Sequence, residues 1–164
     1  MSAYNRKFLE IVDIFRQAAI EHKMVNQFYV GSPWEITQTE SYIYPSMFFE
    51  LSYSTTISNG QKTYNLAFYI LDRAPDNAAG EHNSIEFAEK MLTKTEEISH
   101  NIIAKLYQDV KDLRIDNYNL LAVLEEMNDR AWGQRVELTL RLPFNWSYCN
   151  IPYEESIENN YECP

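Results

Sequence analysis

The dipeptide Asn59-Gly60 stands between two runs, Ser46 to Ile57 and Lys62 to Leu71, that are both rich in aromatic and β-branched residues. Asn-Gly supplies the two positive-φ positions of a type I′ turn, whose twist matches that of a hairpin. A long β-hairpin is therefore predicted. In its second strand Tyr64, Leu66, Phe68 and Ile70 share one face, and Asn65, Ala67, Tyr69 and Leu71 the other. Neither face is plainly polar, so both are expected to be covered.

Helical periodicity flanks this hairpin. Phe8, Ile11, Val12, Phe15, Ala18 and Ala19 recur at three and four and mark the apolar stripe of a helix over Phe8 to about Glu21. Ile85, Ala88, Met91, Leu92, Ile98, Ile102 and Leu106 keep helical spacing to about Asp109, a helix of about 35 Å. Asn83 or Ser84 can cap it, and Glu86 suits the positive end of its dipole. Before it, Asp72 to Asn83 carries Pro75 and Gly80 and reads as an exposed loop. Met24 to Thr39 suggests two short extended pieces around Gly31-Ser32-Pro33.

After a connection from Asp112 to Asn117, Leu120 to Met127 suits either a helix or a strand; its short length and the Asn128-Asp129 turn chemistry favour a strand. Gln134 to Leu142 alternates Val136, Leu138, Leu140 and Leu142 against Glu137, Thr139 and Arg141, a half-buried strand that Pro143 ends. Two hairpins, an N-terminal helix and one long central helix make an α+β domain with a mainly antiparallel sheet and the helices packed on it. The domain is expected over residues 1–144, and residues 145–164, with Glu154, Glu155, Glu158 and Glu162, as an acidic C-terminal arm.

The chain has 164 residues, which suits one domain, and a formal charge of -10, which offers no field to hold a polyanion. Lys105, Lys111 and Arg114 are interleaved with Asp109 and Asp112, a solvated face rather than a phosphate-binding cluster. Only four glycines are present, too few for a dinucleotide or P-loop cradle in its usual form. His22, His82 and His100 lack partners at metal-ligand spacing, and Cys149 and Cys163 form neither a disulfide framework nor a ligand cluster. A Cys149-His100-Asp109 nucleophile set has no local mark of activation. The acidic pairs Glu96-Glu97 and Glu125-Glu126 suit solvated positions better than acid–base work; Glu96 and Glu97 are expected to face solvent near Lys90 and Lys94. No catalytic, cofactor-binding or metal-binding residue is assigned, and the chain is not expected to be an enzyme. The start of the chain lacks the apolar stretch of a signal peptide, and no run is long enough to span a membrane, so a soluble protein made in the cytoplasm is expected.

The aromatic run Tyr42, Tyr44, Phe48, Phe49 and Tyr53 contains neither Lys nor Arg around it, which argues for core or subunit contact rather than base stacking. Candidate subunit or partner contacts are Trp34, Tyr42, Tyr44, Tyr53, Tyr69, Trp132, Trp146 and Tyr148.

Several segments, in order and spacing, resemble a family of small virion proteins of tailed bacteriophages, including crAss-like phages. They are Ala18, Ala19 and His22 in the amphipathic start, Tyr44-Pro45 before the first hairpin, Tyr64 to Asp72, and Asn83-Ser84-Ile85-Glu86. The Asp129 to Gly133 turn and Leu142 to Phe144 followed by Cys149-Asn150-Ile151-Pro152 continue the likeness. The chain departs from the pattern in reading Trp132-Gly133 where Gly would precede Trp, and Phe87-Ala88-Glu89 where Leu-Ser-Asp would stand. The resemblance implies a tail-terminator-like or neck (collar) ring protein: a non-enzymatic head-tail connector forming a closed six- or twelve-fold homo-oligomer that meets neighbouring neck and tail proteins. It also implies localisation in the virion, with assembly in the host cytoplasm, and DNA that passes the lumen without specific binding. A second expectation, of a different class, is a protein-binding adaptor that dimerises and uses its acidic C-terminal arm.

Overall fold

The computed structural model describes residues 6–31, 43–73, 85–126 and 131–145. In chain order the elements are α1 (Phe8–Glu21), β1 (Gln27–Val30), β2 (Ser46–Phe49), β3 (Ser54–Ser58), β4 (Gln61–Arg73), α2 (Ile85–Asp109), β5 (Arg114–Glu126) and β6 (Ala131–Pro143). The protein is α+β, with a mostly antiparallel six-stranded sheet ordered β1-β2-β4-β6-β5, and β3 sharing with β2 one edge of β4.

The Asn59-Gly60 turn forms as its chemistry dictates, with φ of 50° at Asn59 and 71° at Gly60 and Ser58 opposite Gln61. The strand leading into it is not continuous over Ser46 to Ile57. It breaks into β2 and β3 at residues 50–53, because Phe49 opposes Phe68 whereas Ser54 opposes Asn65, which leaves two extra residues on that side of the ladder. Glu50 still donates its N–H to the Ala67 carbonyl at 3.1 Å, so the break hugs β4 rather than leaving the sheet. Asp72 and Arg73, expected in a loop, extend β4 and pair with Trp132 and Ala131 of β6. The second hairpin likewise starts earlier than expected: β5 begins at Arg114, within the segment expected as a connection, and carries irregularities at 115/117 and 123/126.

Both helices cover one face of the sheet. Ile11, Val12, Phe15, Ala18 and Ala19 of α1 and Ile98, Ile102, Ile103 and Leu106 of α2 share a core with Phe49, Tyr64, Leu66, Phe68, Ile70, Val136, Leu138, Leu140 and Leu142. Phe15 sits 4.9 Å from the Phe49 ring and 5.6 Å from that of Phe68. Complete burial of such a side chain stabilises the fold by about 2–3 kcal/mol. Two polar residues on the buried stripe of α2 cost little. The hydroxyls of Thr95 and Ser99 donate to the Met91 and Thr95 carbonyls at 2.8 Å, within the helix itself.

Ion pairs fasten the ends of the layers. Lys105 reaches both Glu21 at 2.6 Å and Asp109 at 2.7 Å, joining α2 to α1. Arg6 holds Asp112 through two bonds of 3.0 and 2.9 Å. Glu96 and Glu97 are exposed as expected, but Lys94 pairs with the buried Asp72 at 2.7 Å rather than with either of them. Among the described residues no helix is long and apolar enough to cross a membrane. Beyond Asn145, the acidic arm lies outside the described residues, as do the cap at Asn83 or Ser84, the extended piece after Gly31, and the Asn128-Asp129 turn.

Candidate functional site

The sheet face opposite the helices is divided in two. Toward one end Phe48, Tyr69, Leu71, Val123 and Ala131 form a second buried apolar cluster, with Tyr29 and Tyr44 packed against it. Toward the other end the same face is polar. The strand registers align Ser54, Asn65, Thr139 and Asn117 in one cross-strand row, and Ala67, Glu137 and Asn119 in the next. Asn65 bridges that first row, donating to Ser54 at 2.9 Å and accepting from Thr139 at 2.9 Å. Apart from Ala67 these residues line an open depression of about 500 Å³, together with Glu50 and Arg135.

Arg135 is the hub between the two halves. Its Nε donates to the Tyr69 hydroxyl at 3.0 Å, one Nη to Glu50 at 3.1 Å, and the other to Glu137. Tyr69 in turn donates to Glu50 at 2.9 Å. The break between β2 and β3 is what brings Glu50 here, and the alternation of β6 places Arg135 and Glu137 on the same face. Burial raises the Tyr69 pKa, and its hydrogen bond to Glu50 raises it further. Burial opposes the charge on Arg135, yet the hydrogen bond and attraction of Glu50, with Tyr69, outweigh it and hold the pKa above the ordinary arginine value. A guanidinium between two carboxylates and a phenol is a lock that ties the break after β2 to β4 and β6; its net charge of about -1 gives no pull on anions.

The expected contact residues divide sharply. Tyr69 and Trp132 are buried within the chain, at 5% and 3% exposure, and Trp132 meets Phe87 edge-on at 5.7 Å on the helix side. Tyr44 packs beside the second apolar cluster with Tyr69. Tyr53 stacks on Phe8 at 3.9 Å and keeps 45% of its surface exposed. Trp34, Tyr42, Trp146 and Tyr148 lie outside the described residues. His100 meets the Tyr118 hydroxyl at 3.1 Å and Glu96 at 3.6 Å, whereas Asp109 pairs with Lys105, so those two are engaged separately; Cys149 lies outside the described residues. Among the described residues no group of three or more His, Cys, Asp or Glu is placed to hold a metal ion.

Exposed apolar side chains are spread over the surface, from Leu9 of α1 through Ile43 and Leu51 to Tyr107 of α2, and some stand at the two ends of the sheet. Along β5 Leu121 and Leu124 are 47% and 57% exposed, and at the other end Ile20 is 66% exposed beside β1. A groove of about 300 Å³ runs between α1 and β1, lined by Ala19, Ile20, Val25 and Phe28 with Arg16 at its rim. Sequence reasoning missed Leu121 and Leu124 because leucines in an apolar run signal core, and Ile20 because it falls off the α1 stripe, where a single apolar residue marks nothing. It missed the Arg135 hub because the partner Glu50 sits in a break that leaves no pattern. No protein-family model matches the chain, and no curated protein matches it.

Proposed function

We propose that this chain is a structural subunit of a closed ring at the head-proximal end of a bacteriophage tail, a tail terminator or neck connector that joins tail to neck and lets DNA pass. The sequence resemblance suggests the setting, and one observation carries the assembly. The two terminal strands of the sheet, β1 and β5, have no strand on their outer sides among the described residues, and they run in opposite directions. A neighbour brought alongside by rotation about an axis along the strands would therefore set its β1 antiparallel to this chain's β5. Two different open edges that fit one another favour a head-to-tail contact, and head-to-tail contacts close into rings.

The charge fits such a role. With 24 acidic against 14 basic residues, the subunit offers little to retain phosphates, and a duplex moves freely through a lumen that does not bind it. Negative-stain electron microscopy together with light-scattering mass, over a wide concentration range, tests the reading. Rings of six or twelve copies are expected; a monomer or a strict dimer at every concentration overturns it.

A further inference from the structure

We infer that the contact between copies is an edge-to-groove joint in which β5 of one copy adds to β1 of the next and seats Leu124 in the groove between α1 and β1. The occupant of the groove is a second copy of this chain. This deepens the ring reading, on which it rests for closure but not for the pairing itself.

Three features of the molecule select that occupant. The first is direction, since β5 and β1 meet antiparallel when copies are placed side by side in the same orientation. The second is apolar fit. The groove is lined by the apolar Ala19, Ile20, Val25 and Phe28 together with Arg16, Asn26 and Gln27, and the strand that would enter carries Leu124 with 57% of its surface still in water, whereas Leu121 shares the opposite face of the sheet with Asn119 and Val123. An irregularity of the ladder falls at 123/126, where bulges characteristically re-aim a side chain away from its own partner strand. Bringing Leu124 opposite Phe28 puts it at the groove. The third is charge. Leu124 is followed directly in the sequence by Glu125 and Glu126, and the exposed Lys23 lies in the connection between α1 and β1, while Arg16, which lines the groove, already pairs with Asp13 and lies over the Phe28 ring. A joint of β5 with its own counterpart around a two-fold axis would leave this groove empty.

Two variants separate the halves of the joint. Leu124→Asp disables the entering strand and leaves the groove intact; Ile20→Asp disables the groove and leaves the strand intact. Both sites are exposed, at 57% and 66%, and circular dichroism checks that each variant keeps the wild-type fold. Light-scattering mass on the full chain is expected to show each variant alone as a monomer, with loss of all larger species. An equimolar mixture is expected to form a 1:1 dimer and stop there, because it holds one working strand and one working groove. That complementation also shows that both variants are folded.

If both variants assemble like the wild type into rings, the joint is overturned and the ring reading stands. If the wild type grows open filaments while the mixture still stops at a dimer, the joint stands and the ring reading falls. An Ile20→Asp chain that dimerises with itself identifies a two-fold strand pairing and overturns the joint. A mixture that remains monomeric overturns it as well, and a monomeric wild type overturns both.

Discussion

A β-carbon added to Gly133 would lie 1.9 Å from the carbonyl oxygen of Ile70, on the neighbouring strand. No flexible side chain stands there to yield, because the next nearest atoms, at 2.9 and 3.0 Å, are also backbone of Ile70 and Leu71. The close approach joins the two long central strands, which pair without a break over all 13 residues of each. Gly133 is therefore a packing requirement of the sheet, not a point of backbone freedom.

It follows that Gly133→Ala separates the two central strands, β4 and β6, near the end of their ladder where Leu71 opposes Gly133. The expected loss is about 3 kcal/mol or more, at the upper end of overpacking effects. Urea unfolding of the purified variant measures it; a change within 1 kcal/mol of wild type would show that the strands slide apart at little cost.

The Arg135 hub calls for a double-mutant cycle. Glu50 and Arg135 retain only 15% and 27% of their side-chain exposure. Arg135→Met leaves the Glu50 carboxylate without its cation, held by the Tyr69 hydroxyl, and is expected to cost about 1–3 kcal/mol. Replacing Glu50 by Leu in the same chain removes the stranded carboxylate and should recover a large part of that loss. Strict additivity of the two single changes would mean that the pair is not coupled.

His22 ties stability to mild acid. It follows the last turn of α1, and its Nδ1 accepts the Met24 N–H at 3.2 Å, a role open only to the neutral ring. Burial lowers its pKa below 6.5, and the charge of Glu97 offsets this only in part. The folded state thus binds this proton less readily than the unfolded chain. The contribution is present above pH 6.5 and is lost as pH falls below it through the lowered folded value. Thermal melts of wild type and His22→Asn between pH 7.5 and pH 5 should converge toward the acid end; a constant gap between them would exclude the linkage.

Much of the architecture was legible because local chemistry and global packing agree where the core is densest. The α1 stripe, the Asn59-Gly60 turn and the alternation of β6 each point to one answer, and the structure places all three accordingly. The break at residues 50–53 was hidden because Glu50, Ser52 and Tyr53 read as ordinary strand residues; only the register of β4 against two partners reveals the two-residue excess. Lys94 was assigned to a glutamate on its own helix because spacing shows neighbours within an element. Its real partner, Asp72, lies 22 residues away on a strand. Aromatic content likewise pointed to contact surface; Trp132 and Tyr69 are buried within the chain, Tyr53 is exposed, and aliphatic side chains such as Leu9, Ile20, Ile43 and Leu124 are more exposed still. Composition reveals that apolar surface is plentiful, but only the fold decides which of it remains uncovered.

The salt dependence of assembly separates an apolar joint from one held by ion pairs. Each copy carries a formal charge of -10, so copies repel one another at long range before any contact forms. At about 0.01 M salt that repulsion reaches some 30 Å, and at about 0.15 M only about 8 Å. If burial of Leu124 and its groove provides most of the association, added salt weakens the repulsion and leaves the attraction intact, so assembly should strengthen as ionic strength rises through this range. If the acidic end of β5 on Arg16 and Lys23 dominates instead, the same increase should dissociate the oligomer. Light-scattering mass at fixed protein concentration in 0.01, 0.05 and 0.15 M salt reads the sign directly, and the expected outcome is growth of the assembled fraction.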